Sequence, residues 1–312
     1  MKIYLVIVVY NGLSNDWIKK CLDSVFKSTI SLNIIIVDNF SIDQSISFIK
    51  NNYSKVEIIE SKINIGFGNA NNIGIKKAYE AGADYVFLLN QDAWIKANTI
   101  EELIKVAEKN KEYGVISPIH LNGEGNALDY GFSNYIAPSK CKGFYSDVFL
   151  ENNNKKLYEI AFVNAAAWLI SRLCLEKVGG FNPSFFHYGE DNNYCQRVLF
   201  HQLKIGIYKD AFIYHDRAQR PKSNYFTDEF LFFERQIIED FSNPFKNRKK
   251  RKYYKEEILN LYISIVTFNL KQFKKGTKRL KILNSIPFEN IKEYKESTLI
   301  GGECFLNQNS NI

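Results

Sequence analysis

Tyr85-Val-Phe-Leu-Leu-Asn-Gln-Asp-Ala93 is the stretch from which the rest of the chain can be read. Tyr85 to Leu89 run without a polar break, the pattern of a strand buried on both faces of a sheet. The run stops abruptly at Asn90, Gln91 and Asp92. Parallel sheets present their ligand-binding groups at the C-terminal ends of the strands, so this polar triplet falls where chemistry is expected. A carboxylate and an amide oxygen two residues apart can both face a hard divalent cation such as Mg²⁺ or Mn²⁺. A plain polar turn is the competing reading, because Asn and Asp are common turn formers. The neighbouring sequence has to decide.

Toward the N-terminus, Ile3 to Val9 reads as a buried strand followed by a turn at Tyr10, Asn11 and Gly12. Trp17, Ile18, Cys21, Leu22 and Val25 have helical spacing. Asn33 to Val37 is a second buried strand, ending in Asp38 to Asp43. A helix through Ile46 and Ile49, a short strand at Val56 to Ile59, and a Gly/Asn-rich loop from Ile63 to Gly74 leading into a helix complete the approach. Beyond the opening stretch, Asn98 and Glu101 have capping-box spacing at the head of a helix bearing Leu103, Ile104 and Ala107, and Gly114 to Ser117 is strand-like. This alternation predicts an α/β fold with a mostly parallel sheet flanked by helices.

From Pro118 to Ile170 the pattern is irregular, with short strands expected near Asp129 to Ile136, Gly143 to Phe149 and Ile160 to Ala167. Helices are expected at Arg172 to Val178 and Asp191 to Gln202, and strand at Gly206 to Tyr214. After Asn224 the chain is helical and aromatic, with Phe226, Phe230, Leu231, Phe233, Ile237 and Ile238 and then Ile258 to Phe273. The expected organisation is one α/β domain over 1–224, in halves 1–120 and 121–224, with a C-terminal helical appendage over 225–312 whose last six residues fray.

With 46% hydrophobic and 24% charged residues, the 312-residue chain has the profile of a folded globular protein. Met1 and Lys2 lead straight into a strand, unlike a signal peptide, and no apolar run reaches the roughly 20 residues of a membrane span. Cys21, Cys141, Cys174, Cys195 and Cys304 are odd in number and never in CxxC spacing, which argues for reduced thiols, a cytoplasmic site and no zinc cluster. The net charge of +7 concentrates at Lys246 to Lys252, six cations in seven residues. Such a run is either a solvated loop or an attraction to an anionic membrane or other polyanion.

Four clusters of acids or amides follow strand-like runs: Tyr10 with Asn11, Asp38 to Asp43, Asn90 to Asp92, and Glu190 with Asp191. Carboxylates at Asp38 and Asp43 suit a base imide N–H or ribose hydroxyls better than phosphate, although Asp43 can equally cap the next helix. Ile65 to Gly74 is glycine-rich, but Asn71 stands where a dinucleotide fingerprint needs its third glycine, and no Walker A sequence occurs. Its glycines can admit a ligand close to the backbone while Asn69, Asn71 or Asn72 bond it, or the segment is a loop-to-helix junction. Glu190 and Asp191 follow Phe185, Phe186, His187, Tyr188 and Gly189. They read as a general base among apolar walls or as charges complementing a helix N-terminus. His215 closes a strand and is either a metal ligand or a surface histidine.

Taken in order, these motifs resemble the family-2 glycosyltransferases of GT-A fold, especially the rhamnosyltransferase-like branch. The resemblance covers roughly residues 3–217 and rests on Val8 to Asn11, Val37 to Asp43, Asn64 to Gly74, Leu88 to Asp92, Gly179 to Asn182 with Phe185 to Asp191, and His215. It implies a single Rossmann-like sheet and an inverting transfer of a sugar from a nucleoside diphosphate to an acceptor hydroxyl. Tyr10, Asn11, Asp38, Asp43, Asn64, Gly66, Asn71, Asn72, Asn90 and Gln91 are then expected to hold the nucleotide-sugar. Asp92, Asn90 and His215 are expected to hold Mn²⁺ or Mg²⁺, Asp191 to act as base with Glu190 beside it, and Ala165, Ala166, Trp168 and His187 to border the acceptor. Asn90 departs from the usual DxD pattern, and this NxD form is associated with dTDP-rhamnose as donor, with UDP-sugars open.

Two rival readings are a sugar nucleotidyltransferase, which lacks its basic triphosphate loop here, and a non-catalytic polyanion- or membrane-binding module built on Lys246 to Lys252. The expected partners are a nucleoside diphosphate sugar and a glycan or lipid-linked acceptor of cell-envelope polysaccharide synthesis, and no nucleic acid. The C-terminal helices are expected to contact either the inner face of the plasma membrane or a second subunit.

Overall fold

The computed structural model describes residues 1–217 and 227–306. Phe226, the expected boundary at 224/225 and the frayed tail over 307–312 lie outside the described residues.

Among the described residues, nine strands form one sheet: β1 (Ile3–Val9), β2 (Asn33–Asp38), β3 (Val56–Glu60), β4 (Tyr85–Leu89), β5 (Ala93–Ile95), β6 (Tyr113–Asn122), β7 (Leu157–Ile160), β8 (Ala167–Ser171) and β9 (Lys204–His215). Their order is β3-β2-β1-β4-β8-β6-β9-β5, with β7 paired to β9. The first four neighbours pair in parallel, as the early alternation predicts. Beyond β4 the pairing is mixed: β8 runs antiparallel to β4 and β6, β6 and β9 are parallel, and β5 and β7 are antiparallel to β9.

Alternation along β1 explains how the sheet is sandwiched. Leu5, Ile7 and Val9 join one buried cluster with Ile36, Phe87 and Leu89, covered by α1 (Trp17–Val25), α2 (Ser45–Asn52) and later α4 (Thr99–Lys109). Val6 joins the opposite cluster with Val37, Val86 and Leu88, covered by α3 (Phe67–Glu80). Asn98 makes no cap bond at the head of α4; the Lys96 N–H donates to Thr99 Oγ1, and Glu101 accepts from Thr29 instead. The capping box is therefore replaced by other partners, one of them 72 residues away.

Two expected strands are helices, α5 (Tyr130–Tyr135) and α6 (Phe144–Phe149). Asp129 caps α5 by accepting from the Phe132 N–H, and buried Phe132 and Ile136 lie four residues apart. Six-residue segments rich in aromatics are too short for their period to separate helix from strand. The strand expected over Ile160 to Ala167 is split between β7 and β8, with a crossing loop between. α7 (Arg172–Val178) and α8 (Glu190–Phe200) follow in this unit.

The chain divides into two compact units. The second holds α9 (Glu229–Ser242), α10 (Lys250–Val266), α11 (Leu270–Ser285) and α12 (Phe288–Ile300), around Phe233, Ile237, Phe241, Tyr253, Leu283 and Phe288. After α12 the chain returns to the first unit: the Gly180 N–H donates to the Cys304 carbonyl, and Leu306 is buried in that unit's core.

Candidate active site

The strand order turns at β1, with β2 and β3 to one side and β4 to the other. Such a turn opens a crevice beyond the C-terminal ends of the strands. Tyr10 and the Asn90 to Asp92 triplet stand at that mouth. The Gln91 side chain spans it: Oε1 accepts from the Tyr10 N–H at 2.9 Å and Nε2 donates to the Tyr10 carbonyl at 3.0 Å. Gln91 is thereby committed to the backbone.

The neighbouring loops are tied in the same way. Asn11 has φ 50°, donates its N–H to Ser41 Oγ and accepts from the Ile42 N–H. Asp38, buried at the end of β2, accepts from the Ser41 N–H, and Asp43 accepts from the Ser45 N–H at the start of α2. Burial raises the Asp38 carboxyl above its ordinary pKa, with Glu60 and Asp43 adding to the effect against the bonds from Ser41. Asn64 Oδ1 accepts from Asn39 Nδ2 and from the Gly66 N–H, while Asn39 Oδ1 accepts from the Ile65 N–H. Asn39 carries no distinguishing signal in the sequence. Phe40, next to it, has φ 69°, an uncommon backbone for an aromatic residue and a form of strain that clusters at binding loops.

The Gly/Asn-rich segment turns out to be mostly helix, since α3 begins at Phe67. Gly66, at φ +84°, lets the backbone reach the Phe186 carbonyl; a Cβ there would lie 2.1 Å from that oxygen. Gly68 packs against Glu190, whose Cβ would lie 3.4 Å away from a Cβ at 68. These glycines thus bring the start of α3 against Phe186 in the loop before α8 and against Glu190 in its first turn. Asn71 is buried and donates back to the Phe67 carbonyl. Asn72 Oδ1 accepts from the Phe181 N–H at 2.6 Å and Nδ2 donates to the Phe181 carbonyl at 2.8 Å. Both amides, expected at the nucleotide-sugar, instead hold backbone, because buried amides must satisfy their donors and acceptors locally.

The ionisable groups are arranged differently. Asp92 is fully buried beside the first residue of β5, and Ala93 pairs with His215 across the sheet. This register sets Asp92 Oδ1 3.6 Å from His215 Nε2. On the other side of the ring, His215 Nδ1 lies 3.4 Å from Asp129 Oδ2, and Arg217 Nη1 lies 3.9 Å from Asp129 Oδ1. Burial lowers the His215 pKa against the pull of Asp129, so the ring is neutral near pH 7, the form a metal ligand needs. Burial alone would raise Asp129, but His215, the Phe132 N–H and Arg217 outweigh it and bring it down to about 2. Asp129 and Arg217 were missed at the sequence level because 37 residues separate Asp129 from Asp92, in a segment with no readable period.

Glu190 and Asp191 occupy the first turn of α8, after Gly189 in the left-handed region. Glu190 is buried and Asp191 half-buried. Tyr135 links them to the rest: burial and the charge of Asp191 push its hydroxyl up to about 12, with Asp129 adding and Arg217 opposing. Asp191, Tyr135, Arg217, Asp129, His215 and Asp92 therefore form one electrostatic neighbourhood drawn from four separate stretches of chain.

Of the residues expected to border an acceptor, Ala165, Ala166 and Trp168 are buried. The Asn90 N–H donates to the Ala166 carbonyl, joining the end of β4 to the approach of β8. The Trp168 ring is wholly enclosed, stacked 5.9 Å from Phe181 and tilted against Tyr194 at 5.5 Å. It stiffens the wall behind the site and does not line an open surface. His187 is half-buried against Tyr188, and burial lowers its pKa to about 4.

Among the described residues, no three His, Cys, Asp or Glu side chains converge on one ion position. Asp92 and His215 do present an oxygen and a nitrogen 3.6 Å apart, a spacing two ligands of one small cation can take. With Asn90 at the end of β4, the oxygen and nitrogen donors are of the kind that suit a hard divalent cation.

The family model described as "Glycosyl transferase family 2" matches residues 4–179. The low-salt glycan biosynthesis hexosyltransferase of Haloferax volcanii is 27% identical over 65% of the chain and 64% of its own length, so the chain spans just under two thirds of that relative. The rhamnosyltransferase WbbL of Escherichia coli is 26% identical over 73% of the chain and 88% of its own length. Among solved structures, S. aureus TarS 1–349 in complex with UDP-GlcNAc shares the fold at TM-score 0.57 and 14% identity, covering 96% of this chain and 88% of that one.

Proposed function

The chain belongs to glycosyl transferase family 2, and from that premise we propose that it is an inverting, metal-dependent glycosyltransferase of cell-envelope polysaccharide synthesis. Its donor is a nucleoside diphosphate sugar and its acceptor a hydroxyl of a glycan or lipid-linked saccharide. The observation that carries this reading is the convergence of the Asp92–His215 pair and Asp191 on one neighbourhood through Tyr135 and Asp129.

Each residue has a role in the reading. Asp38 and the Tyr10–Asn11 turn receive the nucleoside, with Asp43, Asn64 and Gly66 shaping the loops around it. Asp92 and His215, with Asn90, hold the divalent cation. Such an ion supplies positive charge to the leaving diphosphate. Asp191 takes the proton from the acceptor hydroxyl, whose oxygen forms the new glycosidic bond while the bond to the diphosphate breaks. Glu190 flanks the base. Rhamnose from dTDP-rhamnose is the favoured donor, supported by the Asn90–Asp92 pattern and the similarity to a rhamnosyltransferase. A UDP-sugar is the second reading, favoured by the UDP-GlcNAc bound in a structural neighbour. A cytoplasmic setting suits Cys21, Cys141, Cys174 and Cys195, which are buried thiols.

Thermal-shift titration with dTDP, UDP and their sugars, with and without Mn²⁺, tests the donor and the metal together. The expected result is a rise in melting temperature that needs the cation, and transfer activity that EDTA abolishes and Mn²⁺ or Mg²⁺ restores. Full transfer in chelator removes the metal from the reading, and no response to either nucleotide removes the donor class.

A further inference from the structure

The second unit contains a helical hairpin whose polarity is inverted. α10 buries Tyr253, Glu257 and Ser264 and exposes Ile258, Leu259, Tyr262, Ile263, Ile265 and Val266. At about 100° per residue, the buried residues share one stripe and the six exposed apolar residues share the opposite face. Across the seam, Glu257 meets Arg279 at 3.4 Å. Gly276 leaves room for Leu261, whose Cδ2 would lie 2.7 Å from a Cβ at that position. Glu257, Ser264 and Gly276 therefore sit on the inner side with Tyr253 and Leu261, while six apolar residues face outward, the reverse of a helix on a water-facing surface. Small residues at the seam and apolar ones outside is how helices pack when hydrocarbon surrounds them. The turn extends the patch, with Phe268 91% exposed and Leu270 and Phe273 exposed beyond it. A contiguous apolar surface of this kind marks an interaction site.

Charge identifies the partner. Between residues 246 and 281 stand thirteen Lys or Arg and two Glu, so this segment carries +11 while the rest of the chain sums to −4. Local acids answer only part of it: Lys246 and Arg248 pair with Asp240, and Lys275 with Glu229. A second copy meeting through the same face would set +11 against +11, which disfavours a symmetric dimer there. An anionic bilayer complements both features. The apolar tip enters the headgroup–acyl boundary, and Lys and Arg stems lie along it with their charges at the lipid phosphates. Among the described residues no helix is long and apolar enough to cross a membrane, so the contact is interfacial.

We propose that the α10–α11 hairpin docks this protein on an anionic lipid bilayer, with Ile258 to Phe273 seated in the interface and the cations of 246–255 and 271–281 on the headgroups. This is independent of the donor, metal and base assigned above.

The full chain is sedimented with vesicles of phosphatidylcholine, alone or mixed with phosphatidylglycerol, at ~0.05 M and ~0.5 M salt. Binding to the anionic vesicles at low salt, weakening at high salt, is expected. Phe268→Ser with Leu270→Ser, both at exposed positions, lowers the bound fraction more than about tenfold, and Lys250→Glu with Arg251→Glu and Lys252→Glu removes the preference for anionic lipid. Phe268→Trp reports insertion by a blue shift of its emission on vesicle addition. Circular dichroism confirms that each variant is folded. Absence of pelleting with anionic vesicles at low salt overturns the proposal, as does pelleting that none of these variants changes. A dimer by light scattering that Phe268→Ser with Leu270→Ser dissociates gives the patch to a second copy and overturns it as well.

Discussion

The rim of the sheet holds two kinds of polar residue, and they behave differently. The amides Gln91, Asn64, Asn71 and Asn72, with Asn39, are committed to backbone N–H and carbonyl groups at ordinary hydrogen-bond distances. The acids and the histidine, Asp92, Asp129 and His215, stand 3.4–3.6 Å apart, farther than a normal hydrogen bond. An amide cannot ionise, so its best use when buried is to satisfy loop backbone that has no strand or helix partner. Carboxylates and imidazole carry charge and protons, so they suit an ion, a leaving group or an acceptor hydroxyl. These amides build the frame, and the ionisable groups are the ones to which the proposed chemistry is assigned.

The largest effect should come from removing a chemical group and keeping the frame. Asp191→Asn is expected to lower kcat by about 10³-fold, the range of a general base, while the melting-temperature response to nucleotide survives. Equal activity in mutant and wild type would remove Asp191 as the base and blur the distinction. The converse change touches only the frame. Asn72→Ala leaves two buried backbone groups of Phe181 unpaired and should cost about 2–3 kcal/mol in denaturant unfolding. The fraction that remains folded should keep its kcat to within about twofold, and a collapse of kcat instead would place Asn72 among the chemical groups.

The third test addresses a group between the two classes. Asp129 faces His215 and not the crevice directly, so Asp129→Asn should weaken Mn²⁺ binding, measured calorimetrically, by about 10–100-fold. His187 gives a test read in pH, with at most a modest slope at any one pH. Its folded pKa of about 4 lies below the unfolded value near 6.5, so on acidification the unfolded chain takes up a proton that the folded chain refuses. Unfolding free energy should therefore fall as pH drops from ~6.5 toward ~4, by at most ~1.4 kcal/mol per unit, and His187→Asn should flatten that slope. A slope that the substitution leaves untouched assigns the effect to other groups.

How much of this was legible depends on period and on separation. β1, β2 and β4 are long apolar runs, and the helices between them have clear spacing, so the parallel half of the sheet follows from residues 1–120. α5 and α6 were misread as strands because six residues do not establish a period. Asp92, Asp191 and His215 stand out in the sequence because each follows or closes a recognisable run, and the roles given to them above are proposals. Asp129 does not, since its place in the site comes from the ring of His215 and the charge of Arg217 beside it. The amides were readable as polar and loop-like, but not as bonded to Tyr10 or to Phe181, which lies 109 residues from Asn72.

The opening stretch shows the division most directly. Its five apolar residues dictate a strand buried on both faces, and its polar end dictates where that strand must stop, because hydrophobic burial and backbone satisfaction are decided locally. Which of Asn90, Gln91 and Asp92 serves the fold and which the chemistry is not decided locally. The pairing of β1 with β4 brings the Tyr10 backbone to Gln91, and the pairing of β5 with β9 brings His215 to Asp92. Both contacts join residues more than 80 positions apart, and only the closed sheet puts a hydrogen bond on one side chain and an imidazole beside the other.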